Sequence, residues 1–444
     1  MTHVNLRRPS AWIALFLLLG SYAGATDVTY QKERGGYRVL VNDLFDAASG
    51  GDLSMNGLIG DLKITGHAEP WVQILQSFWF DVQNESEAGR LLEKYRADVR
   101  RIGKRIEVTG ASGKFRNGYS INYEVRVPEK FNVKAATTGG DILLRQVEGE
   151  IVVNTAGGDI TAEAISGKLT GNTAGGDIIG RNLSGKVSLS TAGGDVTLSD
   201  GRVGPFTLKT SGGDIKIQAI RGSVDGSTSG GDMEAHDVTG DVKLRTSGGE
   251  ITMVDVRGTS PDVSTSGGDI AVRDVSGNVQ AKTSGGNLSV NRVKGDFYGN
   301  TSGGDINVNE VSGDVDVLTS GGVLDLNAIT GRLIGKSSGG DVRARVTKGG
   351  KLNGPINLMT SGAGLELLLP PDLQARIEAR IRVTDFFSDY DVHSDFNLKI
   401  SEGEVEGKKG RRAFEVTAFG DLNGGGPLIE LETVNGDISI EKVR

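Results

Sequence analysis

The residues best placed to do chemistry form a column behind paired glycines: Asp141, Asp159, Asp177, Asp195, Asp214, Asp232, Glu250, Asp269, Asp305 and Asp341, with Asn287 and Val323 at the same place. A row of acids at fixed spacing admits three chemistries. It could ligate calcium, supply the carboxylate pair of a polysaccharide lyase or hydrolase, or accept hydrogen bonds from turn amides. Calcium rolls repeat G-G-x-G-x-D-x-U-x, whereas here the acid follows the glycine pair at once and the third glycine is missing. A hydrolytic site needs a cleft, and no turn inside the array carries a long insertion that would build one. The remaining reading is structural: each acid, Asp305 for example, caps the backbone amides of its own turn. His67, His236 and His393 are far apart and form no metal-ligand spacing. The expectation is therefore no catalytic residue, no metal and no cofactor.

The elements that hold this column follow from its period. Between Asp141 and Asp341 nine of eleven steps are 18 residues and two are 19, each longer step carrying a proline, Pro205 or Pro261. A short fixed period is the mark of a solenoid, in which no repeat buries its apolar face alone. Within a repeat the apolar residues alternate, as in Ile306/Val308 and again in Val315/Val317, and the same parity puts Thr319 inward. Two short strands per coil, with a corner after each, account for this pattern. Gly139-Gly140-Asp141, Gly157-Gly158-Asp159, Gly175-Gly176-Asp177 and Gly303-Gly304-Asp305 mark the first corner, and Gly149, Gly167 and Gly313 the second. Positive φ is the expected reason for glycine at both. The fold class expected is all-β, a parallel β-solenoid of about 18 residues per coil and at least twelve coils.

Open ends of such a stack would expose unpaired backbone, so the flanks read as caps. Residues 1–25 read as a signal peptide, with Arg7-Arg8, the apolar run Ala11–Gly20 and the small-residue site Ala23-Gly24-Ala25. Region 26–136 reads as an N-terminal cap containing strands, an outlying corner at Ser49–Leu53 and one amphipathic helix near 85–102, capped by Asn84. Trp71, Phe78, Trp79 and Phe80 read as packing of that cap rather than a ligand platform. The regular array is 137–348, and 349–444 a β-rich C-terminal cap. No transmembrane segment is expected after signal cleavage. The chain of 444 residues has no cysteine and a net charge of −8; loss of the two leader arginines leaves 47 basic against 57 acidic residues, or −10. That balance argues against nucleic acid as a partner.

The Val127-Pro128-x-x-Phe131 element before the array, the T-[ST]-G-G-D-[IV] corners and the ending G-G-G-P-L-I-E-L-E-T-V-N-G-D-I at 424–438 resemble the exported bacterial β-strand-repeat proteins grouped as putative adhesins, a family of unknown function. The resemblance is strongest over Val127–Val346 and Leu368–Ile440. It implies a β-solenoid at the cell envelope, periplasmic, extracellular or on the cell surface, with no established catalytic site. The function expected is a non-catalytic scaffold or adhesin-like binder that presents a polar face to an envelope component or glycan. A lyase or hydrolase on a β-helix, and a calcium-binding repeat protein, are the alternatives.

Overall fold

The computed structural model describes residues 25–111, 118–384, 389–406 and 412–443. The leader expected at 1–25 lies outside them except for Ala25, which opens the strand Ala25–Glu33. The alternation of the repeat becomes strands such as Ile306–Val311 and Val315–Leu318. Each pairs in parallel with its own equivalent in the neighbouring repeats, Leu288↔Ile306↔Leu324 on one side of the coil and Phe297↔Val315↔Leu333 on the other. Because the register equals the repeat, like stacks on like. Ile306, Val308, Val315 and Val317 are buried beneath their equivalents, and the residues between them face out. The fold is all-β, a mostly parallel sheet wound round an axis.

A third inward column was not anticipated. Glu310 has φ of 58°, and the same left-handed conformation recurs at Gln146, Ala164, Asn182, Asp200, Ala219, Asp237, Asp255, Asp274, Arg292 and Ala328. One such residue reverses the parity of the strand, so Val311, which alternation would turn outward, is buried. Val147, Ile165, Leu183, Ile220, Val238, Val256, Val275 and Val293 do the same. Gly201 interrupts this column, and the ring of the buried Phe206 lies where its side chain would be, within 2.8 Å of an added Cβ.

The two longer steps are bulges at the second corner. In the first, the pairing register shifts between Arg202 and Gly204, and the extra residue is Val203, 76% exposed with φ of 60°. In the second, Thr259 and Ser260 both donate backbone N–H groups to Asp241 Oδ1, at 2.6 and 3.1 Å.

At both ends the chain order and the spatial order differ. Strands Gly51–Leu58 and Asp61–His67 form a coil that stacks on Phe131–Thr137 and Ile142–Arg145, through Leu53↔Val133 and Leu62↔Ile142. The intervening chain lies on the far side of that coil, where Arg105–Thr109 and Tyr119–Pro128 cover it. Antiparallel strands Trp71–Phe80, Gly36–Asp46 and Ala25–Glu33 extend the sheet further. The first corner of this coil is Gly60-Asp61, and the outlying corner at Ser49–Leu53 is its second, where Asp52 pairs with Asn132. The C-terminal end mirrors this arrangement. Leu428–Val434 and Ile438–Lys442 lie between Ile356–Met359 and Leu365–Leu369 on one side and Ala375–Val383 and Val392–Ser394 on the other.

The helix is Glu85–Tyr95, with Asn84 accepting from Glu87 N, and it buries Ala88, Leu92 and Tyr95 against Gly36–Asp46 and Trp71–Phe80. It is shorter than the 85–102 expected. Arg96 turns to extended backbone, and Val99 and Ile102, which continued the helical spacing, lie on the strand Asp98–Ile102. The aromatic cluster divides between two faces of one strand: Phe78 and Phe80 are buried, Trp71 and Trp79 half-buried. Among the described residues no helix is long and apolar enough to cross a membrane.

Candidate functional site

At the first corner the carboxylates build a ladder along the solenoid axis. Asp159 N donates to Asp141 Oδ1 at 2.9 Å, Asp177 N to Asp159 Oδ1 at 2.8 Å and Asp195 N to Asp177 Oδ1 at 2.8 Å. Asp141 N donates to Asp61 in the N-terminal coil, Asp305 N to Asn287 and Val323 N to Asp305, so the ladder runs over most of the array. The expected bond to the acid's own turn is thus corrected: the amide capped belongs to the next coil. Val323, without a side-chain oxygen, cannot continue it. The second corner makes the same bond at Asn278, Asp296 and Asp314.

Behind the ladder stands a buried column of hydroxyls. Thr301 Oγ1 donates to Gly286 O one coil away at 2.8 Å and accepts from Gly304 N at 3.3 Å; Thr155, Thr173, Thr191 and Thr319 repeat the arrangement. The second glycine of each pair lies against the coil below. A Cβ on Gly304 would stand 2.0 Å from Gly286 O, on Gly140 2.1 Å from Gly60 O, on Gly158 2.2 Å from Gly140 O and on Gly176 2.2 Å from Gly158 O. None of these has positive φ. Close backbone approach, not a left-handed turn, is what demands glycine at the first corner. The first glycines have space: a Cβ on Gly139 meets nothing within 4 Å, and on Gly157, Gly175 or Gly303 nothing nearer than 3.7 Å. Positive φ is found at the second corner at Gly149, Gly167 and Gly185, but not at Gly313, where an added Cβ would stand 2.5 Å from Gly295 O and close approach again demands glycine.

This geometry commits one oxygen of each ladder Asp to a backbone amide. Among the described residues no group of three or more His, Cys, Asp or Glu is placed to hold a metal ion. Asp274 is held below the usual carboxylate range by its hydrogen bonds from Arg292, which suits an ion pair rather than a proton donor. His236 and His393 are exposed on separate strands. His67 stacks on Trp71 at 3.9 Å and accepts from Glu69 N at 3.0 Å, and burial lowers its pKa.

Two larger concave surfaces stand out among the described residues. One, of about 570 Å³, lies over Ala375–Val383 and its neighbours, and its arginines are already paired: Arg376 with Asp421 at 3.0 Å, Arg380 with Glu415 at 3.5 Å and with Glu432 at 3.7 Å. The other, of about 720 Å³, lies on the second-strand face of the array between Pro205 and Tyr298. Sequence reasoning missed both, although the two 19-residue steps pointed to the second.

The family model for Toastrack DUF4097 matches residues 104–237 and 185–326. The two matches overlap because in a periodic array one model fits in more than one register. No curated protein matches. Among solved structures, a putative adhesin from Bacteroides fragilis is similar at 16% identity, covering 57% of this chain and 94% of that one, with a TM-score of 0.28. A putative adhesin from Parabacteroides distasonis is similar at 16% identity, covering 69% and 96% with a TM-score of 0.20. A putative cell adhesion protein from Clostridium sporogenes is similar at 9% identity, covering 95% and 100% with a TM-score of 0.14. With its family matches together spanning residues 104–326, half of the sequence, and falling on the coils whose ladder has just been described, the chain belongs to the Toastrack DUF4097 family.

Proposed function

We propose that the protein is a non-catalytic scaffold, exported by the leader at 1–25, that presents a repetitive polar face to a cell-envelope component or glycan. The paired glycines and the acidic column serve the scaffold and not a ligand. One observation carries this reading. In the outward column Lys216, Glu234, Thr252, Ser289, Asn307, Asp325 and Arg343, residue type changes from coil to coil, while the inward columns beside it stay apolar. The packing demand fixes the inside and leaves the outside free. A face built of many similar steps gains affinity by engaging several weak sites at once, which suits polymers and surfaces better than small ligands.

The test is incubation of the purified protein with isolated envelope fractions and with a polysaccharide panel, scoring retention and product release together. Retention without cleavage is the expected result. New reducing or unsaturated ends that vanish on replacing one carboxylate would overturn it in favour of a lyase or hydrolase.

A further inference from the structure

Both irregular steps of the array fall on one lateral face. The pairing register stacks the bulge at Arg202–Pro205 and the bulge at Thr259–Pro261 on the same second-corner column, with Ser223, Asp241 and Asn278 completing the rim. The floor beside this rim is a single outward column, Thr207↔Asp225↔Lys243↔Asp262↔Gln280↔Tyr298. At about 4.8 Å per coil its five steps extend over roughly 24 Å. We propose that this groove is a binding site for a linear, uncharged polysaccharide lying along the solenoid axis. The inference rests on the polymer-presenting role above and assigns it a place and a ligand class.

Three features select that ligand. The backbone N–H and C=O groups of the floor are used in coil-to-coil pairing, so an extended peptide finds no strand edge to add to, and only side chains can engage the occupant. Those side chains offer hydroxyl, carboxylate, ammonium, amide and phenol groups in a row, the donors and acceptors that successive sugar hydroxyls require. Their charges nearly cancel: Asp262 is paired with Arg245 at 3.2 Å, and Asp225 stands beside Lys243, which disfavours a polyanion on a protein that is itself acidic. Tyr298, 39% exposed, closes one end with a ring on which the C–H face of a pyranose can pack while its hydroxyl bonds outward. At the other end Val203 is held outward by the bulge.

Affinity electrophoresis of the purified protein through gels containing soluble dextran, mannan or xylan tests this. At least one neutral polymer should retard the protein, and retardation should survive high salt. Tyr298→Ala and Gln280→Ala, both at exposed positions, should each weaken it by about three- to tenfold while leaving the melting temperature unchanged. Gln31→Ala, at an exposed position of the N-terminal strand Ala25–Glu33, should have no effect. Retardation that ignores Tyr298→Ala and Gln280→Ala but falls with Asn307→Ala, on the first-strand face, would overturn the groove and leave the presenting scaffold standing. Retention by envelope fractions that is abolished by protease treatment, with no neutral polymer bound, would overturn the polysaccharide while preserving an envelope partner. If neither envelope nor polymer retains the protein, both readings fall.

Discussion

Two glycines side by side answer to different demands, and this separates at the scale of a single residue. Gly304 has no space for a Cβ because Gly286 O would stand 2.0 Å away, and that same carbonyl accepts from Thr301 Oγ1. Gly304→Ala should therefore push two coils apart and loosen a buried hydrogen bond, costing about 1–3 kcal/mol. Gly303→Ala, with nothing nearer than 3.7 Å and no positive φ, should stay within about 0.5 kcal/mol of the parent, since lower chain entropy in the unfolded state offsets any crowding. Denaturant melts of the pair check this, and equal losses would refute the close-approach account. The carboxylate ladder makes a second prediction. Asp305→Ala removes the acceptor for Val323 N and should cost about 1 kcal/mol, whereas Asp305→Asn keeps that acceptor, as Asn287 does for Asp305 N, and should cost little. Chelator should leave the melting temperature of the parent unchanged; a drop restored by calcium would return the column to metal binding.

At the scale of the element, the unit of folding is a coil of one repeat. Deleting Thr301–Leu318 joins Asn300 to Thr319 and lets Leu324 stack on Leu288 and Leu333 on Phe297, each replacing an equivalent residue. A shorter, cooperatively melting protein is expected. Deleting Thr301–Asn309 removes one strand and leaves its partner without a level to occupy, so its thermal melt should fall far below the other; matching melts would mean that the coil is the wrong unit. This unit was legible in the sequence because the pairing register and the repeat coincide, so the inward columns within each strand show as an alternation of apolar residues. The third inward column was hidden by the residue before it. Glu310 reverses the parity without being glycine, and alternation read past Val308 places Val311 outside. Asn and Asp at five of the equivalent positions, Asn182, Asp200, Asp237, Asp255 and Asp274, were the available signal, since these side chains tolerate the left-handed region. The groove was legible only in part. Pro205 and Pro261 marked where residues were added, but that both lie on one face depends on which strands stack, and only the pairing shows that.

For the whole molecule the question is how a stack with parallel edges ends. Neither end of the solenoid is closed by the coil nearest in sequence. The strands Leu428–Val434 and Ile438–Lys442 close the C-terminal side from within, Ile429 pairing with both Ile356 and Ile377, and Ile438 with both Leu365 and Val392. The segment 428–442 is therefore a keystone made only after the strands on both sides of it, and until it arrives Ile356–Met359 and Leu365–Leu369 present an unpaired edge. Removing 428–443 should consequently do more harm than removing an internal coil of similar length. Ala375–Val383 is not free to drop one level and fill the gap, because Gln374 N donates to Gly350 O at 2.8 Å and the strand is paired along its length with Arg412–Leu422. Both sides of the gap are apolar, Ile356 and Leu358 on one side standing opposite Ile377 and Ala379 on the other, so the truncated protein should lose its cooperative melt at the C-terminal end and self-associate, whereas the Thr301–Leu318 deletion stays monodisperse. Sedimentation of the two deletions side by side decides it. A truncated protein that remains monodisperse with an unchanged melting temperature would show that the strand does drop a level, and that the interleaved order is a consequence of the chain's path rather than the device that closes the stack.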